Sequence, residues 1–226
     1  MFTKNWKCLF VLSAFALVAA MSLANAAKAE LINGVNYIQP ISATASSTFP
    51  LDNPIVRVAD NLRNGSGINL TTGQADGVAS NQWLSNWEDN PTIVFDLGDK
   101  YDLSKAHVWN AYYEYTPNDD YQWAYGVKGV TISTSADGIT YDSGTHFTFT
   151  HAVANDTGQD YTLSAAGVQY VKFVIDIHPD CNFTWDGSHN DQKWTGLQEV
   201  RFTPEPATMA LLGLGGLGVL LRRKRR

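Results

Sequence analysis

The side chains with the widest chemical reach fall in two stretches. Asn110-Ala111-Tyr112-Tyr113-Glu114-Tyr115 leads into Asp119-Asp120-Tyr121-Gln122-Trp123-Ala124-Tyr125. His178-Pro179-Asp180-Cys181-Asn182-Phe183-Thr184-Trp185-Asp186-Gly187-Ser188-His189 follows further along. Asp119 and Asp120 could suggest glycoside hydrolysis, but that reaction needs two carboxyl groups held across the scissile bond, not neighbours on one chain segment. Cys181 has no recognisable cysteine-protease context and reads as a buried or incidental thiol. His178 and His189 lack the companions of a zinc site, and no Gly-x-Ser-x-Gly or His-Glu-x-x-His pattern occurs. Catalysis is therefore not expected. What remains is recognition, by aromatic rings interleaved with amides and carboxylates.

These stretches need rigid elements to hold them, and the sequence around them reads as strands. From Leu31 to Phe202 no long segment has helical periodicity, whereas short β-branched and aromatic runs are separated by Gly, Asn, Asp and Pro clusters. Strands are expected at Thr92–Leu97, ending at Gly98, at Ala106–Asn110 and at Gly129–Thr134. Ser135-Ala136-Asp137-Gly138 is a turn signal, since Asp-Gly supplies the positive φ of a tight hairpin, and Thr140-Tyr141 should resume the strand. Val171, Phe173, Ile175 and Ile177 alternate with polar or smaller residues as on a half-buried face, and Leu197–Phe202 closes the domain. Trp83, Trp87 and Trp109 precede or sit in strands and are expected in the core. The pattern predicts an all-β chain folded as a single jelly-roll β-sandwich, with function in its longer loops.

The ends of the chain are of a different kind. Lys4 and Lys7, an apolar run from Leu9 to Ala20 and the site Ala24-Asn25-Ala26 make the three parts of a secretory signal, residues 1–26, expected to form a signal helix and to be cleaved. At the other end Pro204-Glu205-Pro206 precedes an apolar segment, residues 207–221, and Arg222-Arg223-Lys224-Arg225-Arg226. That segment predicts a short transmembrane helix, marginal in length, whose basic tip stays on the cytoplasmic side. Residues 27–203 number 177, enough for one domain with a sizeable core. Setting aside the two leader lysines, the five basic residues of the tip and Glu205 leaves 9 basic and 21 acidic residues, a net charge of −12. Such a surface repels nucleic acid and anionic membranes, and it suits cation binding or solubility. Cys8 lies in the leader, so Cys181 is the single cysteine of the mature chain and no intramolecular disulfide can form.

Two resemblances follow from these segments. The tail resembles the PEP-CTERM sorting signal of Gram-negative bacteria, with Pro204, Glu205 and Pro206 as its motif. The resemblance implies recognition and cleavage by an exosortase-type membrane protease and delivery to the cell surface or extracellular matrix. Ala43–Ser47, Ala59–Gly67, Gln82–Ser85, Ile93–Gly98, Val108–Asn110, Gly126–Val130, Ser135–Gly138 and Gly196–Phe202, in that order, resemble the discoidin or coagulation-factor type C domain, a galactose-binding-like jelly roll. This second resemblance spans most of a domain at residues 31–203.

The discoidin resemblance implies a structural calcium held by an early loop and a glutamate of the last strand, at the positions of Asp60, Asn64, Ser66 and Glu199. Asn64 departs from the usual aspartate and lowers the charge of that site. The resemblance also places the aromatic loops toward one end of the sandwich, where rings stack on pyranose faces and polar groups bond hydroxyls, so that Glu114, Trp123, Asn182, Trp185 and His189 become ligand candidates. Family likeness leaves the partner open. A glycan or exopolysaccharide is the expected ligand, the alternative being a structural or adhesive matrix protein whose jelly roll binds other proteins.

Overall fold

Strands begin where alternation begins. In the computed structural model, which describes residues 28–49, 57–86, 88–112, 125–176 and 194–205, nine strands account for about half of the described residues. They are β1 (Lys28–Ile32), β2 (Val35–Gln39), β3 (Ser42–Ala45), β4 (Trp83–Leu84), β5 (Thr92–Asn110), β6 (Gly129–Ser135), β7 (Thr145–Thr148), β8 (Gln159–Asp176) and β9 (Gly196–Pro204). All strand pairings are antiparallel, in the order β1-β2-β9-β5-β8-β6-β7, with β3 added to β5 and β4 to β9. Between β3 and β4 lie two short 3-10 turns, Ala59–Leu62 and Ala79–Asn81.

One hydrogen-bonded sheet becomes two layers because β5 and β8 are too long for one. At about 3.3 Å per residue, a 19-residue strand such as β5 would extend roughly 60 Å if it ran straight. Instead the pairing of β5 with β8 shifts register repeatedly between Asp96 and Lys105. Gly98 and Gly167 flank this irregularity with φ of +76° and +64°, which only glycine adopts without strain. Beyond the bend, β5 joins β9 and leaves the layer of β3, β6 and β7. The outcome is the all-antiparallel, two-layered β-sandwich expected from the sequence.

The core lies between the layers. Ile93, Phe95, Leu97, Val130, Val171, Phe173, Val200 and Phe202 are buried on facing strands. Phe95 packs edge-on against Phe173 and Phe202, with centroids 5.3 and 5.5 Å apart, a geometry that adds about 0.5–1.5 kcal/mol per pair to the burial itself. Trp83 is in this core as expected, while Trp109 is buried in a second cluster with Ile32, Tyr37, Ile68 and Ala75. The segment 65–77 covers that second cluster, and its Gly73 carbonyl accepts the Trp109 indole N–H at 2.7 Å. Trp87 lies outside the described residues.

Four details differ from the sequence expectation. Thr92–Leu97 and Ala106–Asn110 are one strand, continuous across Gly98. Gly138 does take φ of +74°, but the chain does not resume a strand at Thr140; β7 starts at Thr145. The reason is that Asp137 and Asp142 bind the backbone between them: Asp137 accepts from the N–H groups of Ile139 and Thr140, and Asp142 from Thr134 and Gly144. Asn33-Gly34, with φ of +47° and +80°, makes the tight hairpin turn joining β1 and β2, which lies ahead of the first expected strand. The last strand does not stop at Phe202 but runs through Pro204. The expected signal and transmembrane helices fall outside the described residues; among the described residues no helix is long and apolar enough to cross a membrane.

Candidate functional site

All five residues expected to contact a ligand, Glu114, Trp123, Asn182, Trp185 and His189, lie outside the described residues, as does Ile177. The strands that carry their loops are described, and they converge. The stretch after Tyr112 leaves from the end of β5 and returns to β6 at Gly129; the stretch after Asp176 leaves β8 and returns to β9 at Gly196. Gly129 pairs with Asp176, Asn110 pairs with Leu197, and Gly126 bridges to Gly196. All four loop roots therefore meet at one end of the sandwich.

Asn110 clamps that end. Its Nδ2 donates to the carbonyls of Val127 at 2.7 Å and Thr150 at 3.0 Å, and its Oδ1 accepts from the N–H groups of Val127 at 2.8 Å and Ala111 at 3.0 Å. A buried amide with its four hydrogen-bonding positions filled has one orientation available to it. Ser85 and Thr195 add a reciprocal pair, the Ser85 N–H donating to the Thr195 carbonyl and the Thr195 N–H to the Ser85 hydroxyl. The Gly196 N–H donates to the Tyr125 carbonyl at 2.6 Å, and Gln82 donates to the carbonyl of Tyr112. At the third root, His146 Nε2 lies 2.7 Å from Asp176 Oδ2.

An aromatic row that the sequence did not disclose crosses this end. Phe49 and Tyr125 each meet Trp194 edge-on, at 5.8 and 5.9 Å between centroids, and the Arg57 guanidinium lies 5.8 Å from the Phe49 ring. Phe49 and Trp194 are separated by most of the chain, so no local spacing could have joined them.

The loop expected to hold calcium reaches Glu199 of the last strand, and Glu199 also faces Arg201. Glu199 is fully buried, and its Oε2 accepts the Gly65 N–H at 3.1 Å, so the loop containing Asn64 and Ser66 does reach the last strand. Its Oε1 accepts from Arg201 Nη1. Arg201, also fully buried, turns its other edge to Glu30 of β1, with Nε donating to Oε2 at 2.8 Å and Nη2 lying 2.7 Å from the same oxygen. Asp60 is exposed and paired with Arg63 at 2.5 Å, and the Asn64 side-chain oxygen accepts the Ser66 N–H at 2.8 Å.

Calcium takes six to eight oxygens, and the two carboxylates of the expected set, Asp60 and Glu199, each face a guanidinium group. Among the described residues no three His, Cys, Asp or Glu side chains gather as a metal site. Burial pushes the Glu199 carboxyl up to about 8, with Arg201 and the Gly65 N–H pulling the other way.

Of the sorting motif, Pro204 is buried at the end of β9 and Glu205 follows it, while Pro206 lies outside the described residues.

Residues 74–173 match the family model described as NedA-like, galactose-binding domain, and residues 202–226 match the PEP-CTERM protein-sorting motif. The matched stretch 74–173 is thus similar to a galactose-binding-like domain of the F5/F8 type C kind. Structures similar to the galactose-binding-like domain include the lectin domain of lectinolysin complexed with Lewis B antigen, at 15% identity over 73% of this chain and 92% of that one, TM-score 0.46. The C-terminal domain of a chitobiase from Bacteroides fragilis is similar at 17% identity over 75% of this chain and 97% of that one, TM-score 0.47. A family 89 glycoside hydrolase from Clostridium perfringens in complex with PUGNAc is similar at 18% identity over 73% of this chain, TM-score 0.44, and the present chain spans only 14% of its length. No curated protein matches the sequence.

Proposed function

We propose that this is an exported, non-enzymatic carbohydrate-binding protein of the cell surface or exopolysaccharide matrix, directed there by an exosortase-type system acting on its tail. The observation that carries the reading is that the roots of both aromatic-rich loops meet at one clamped end of the sandwich. A ring such as that of Trp123 or Trp185 offers an apolar face for a pyranose, and Glu114, Asn182 and His189 supply hydrogen-bonding partners for its hydroxyls. Asn110 and the Ser85–Thr195 pair fix the loop roots beforehand, which lowers the ordering cost of binding. The sorting half of the proposal rests on the match of residues 202–226 to the PEP-CTERM motif.

The test is a glycan array and polysaccharide pull-down with the secreted protein beside its Trp123→Ala and Trp185→Ala variants. Binding by the parent that falls at least tenfold in either variant supports the assignment. A folded protein that retains no glycan would replace it with the structural, protein-binding role.

A further inference from the structure

The sorting motif follows the last core residues without a spacer, and the sheet has taken up its first half. Pro204 pairs with Leu103 of β5 and is buried. The Ser104 hydroxyl, on the same stretch of β5, reaches the carbonyls of Thr203 at 3.1 Å and Pro204 at 3.4 Å. One residue further on, the Glu205 N–H donates to the Asp102 carbonyl at 2.7 Å. Among the described residues, β2 pairs with β9 only at Ile38 and Phe202, and residues 203–205 are bonded to β5. Proline suits this position, since a strand end makes no demand on the N–H it lacks.

We propose that the folded domain occludes its own sorting motif: a membrane protein that reads Pro204 and Glu205 gains them only while residues 203–205 are off β5. The inference rests on the sorting reading above. A buried proline ring cannot enter a recognition cleft while it packs on the sheet, and a backbone already bonded to Asp102 has one fewer group to offer a reader. Reading and folding therefore compete for the same three residues. The segment is the last turnover of the sheet, held from one side, so its release leaves the Phe95–Phe202 core contact in place.

Two measurements on the full-length precursor test this. Hydrogen exchange in detergent should show the Glu205 amide slowed at least tenfold against the same residue in an isolated tail peptide; exchange at the peptide rate overturns the proposal. Pulse–chase in cells that process such tails should show the mature form appearing several-fold faster when a four-residue Gly-Ser insert follows Thr203, and moderately faster in Ser104→Ala, while both keep the parent unfolding midpoint. Equal processing rates in all three overturn it. If no mature form appears in any of them, the sorting reading falls, and the exchange measurement still decides whether the motif is occluded.

Discussion

Arg201 shows how one side chain changes the meaning of its neighbours. It is permanently charged, fully buried, and held between Glu199 on its own strand and Glu30 on β1. The two glutamates are not equivalent. Glu199, pushed up to about 8 by burial, tolerates loss of charge below that pH, whereas Glu30 meets the other edge of the guanidinium. Glu30→Gln should therefore cost about 3–5 kcal/mol, the range for stranding one member of a buried ion pair, and Glu199→Gln about 1 kcal/mol or less at pH 6, both read from urea unfolding. The sign of the pH dependence follows. A carboxyl raised in the folded state binds its proton more tightly there, so its contribution to stability is full below the ordinary glutamate range and is lost as pH rises through about 8. Glu199→Gln should flatten the unfolding midpoint across that window, and an unchanged slope would refute the assignment.

At the scale of elements, the bends in the long strands decide where the layers part, and glycines set their cost. Gly158, beside the start of β8, has φ of +78°, and a Cβ there would come 2.5 Å from His107 Nε2. It would disturb the contacts of His107 with the Thr157 carbonyl and with Asp160. Gly167, at φ of +64°, has open space where its Cβ would go. Gly167→Ala should cost about 1–2 kcal/mol for the left-handed backbone alone, and Gly158→Ala distinctly more, as thermal or urea unfolding would show.

These bends also mark the limit of what the sequence discloses. The alternation of Val171, Phe173 and Ile175 was legible because one face of that segment is buried and the other is not, whereas Val130 and Ile132 were legible by residue type alone, since β6 is buried on both faces beyond Thr131. The first two thirds of β8, Gln159–Tyr170, was not legible, because its residues remain half-exposed or exposed up to Val168. Gly98 looked like a strand end for the same reason: a bulge glycine and a terminating glycine have the same local signature. The approach of the Asn64–Ser66 loop to Glu199 was legible from the family resemblance. The pairing of Arg201 with Glu199 and Glu30 was not, since Arg201 reads locally as one more polar residue of an alternating strand.

Across the whole molecule, Arg201 joins the first strand to the last, and the domain closes through a cation it carries within its own sequence. The consequence to test is whether the stability of the domain depends on a dissolved metal. A ligand that binds only the folded state raises stability in proportion to the logarithm of its concentration over its dissociation constant, so a structural calcium site would show as a large difference between millimolar calcium and chelator. With Glu199 and Asp60 committed to guanidinium groups, the urea midpoint of the secreted domain should be the same in both conditions. Removing residues 28–32 should do what chelation does not. That deletion takes Glu30 from Arg201, Ile32 from the Trp109 cluster and the partner strand from β2, and should lower stability by several kcal/mol. A midpoint that falls in chelator while the deletion is tolerated would mean that a bound metal, and not Arg201, closes the sandwich.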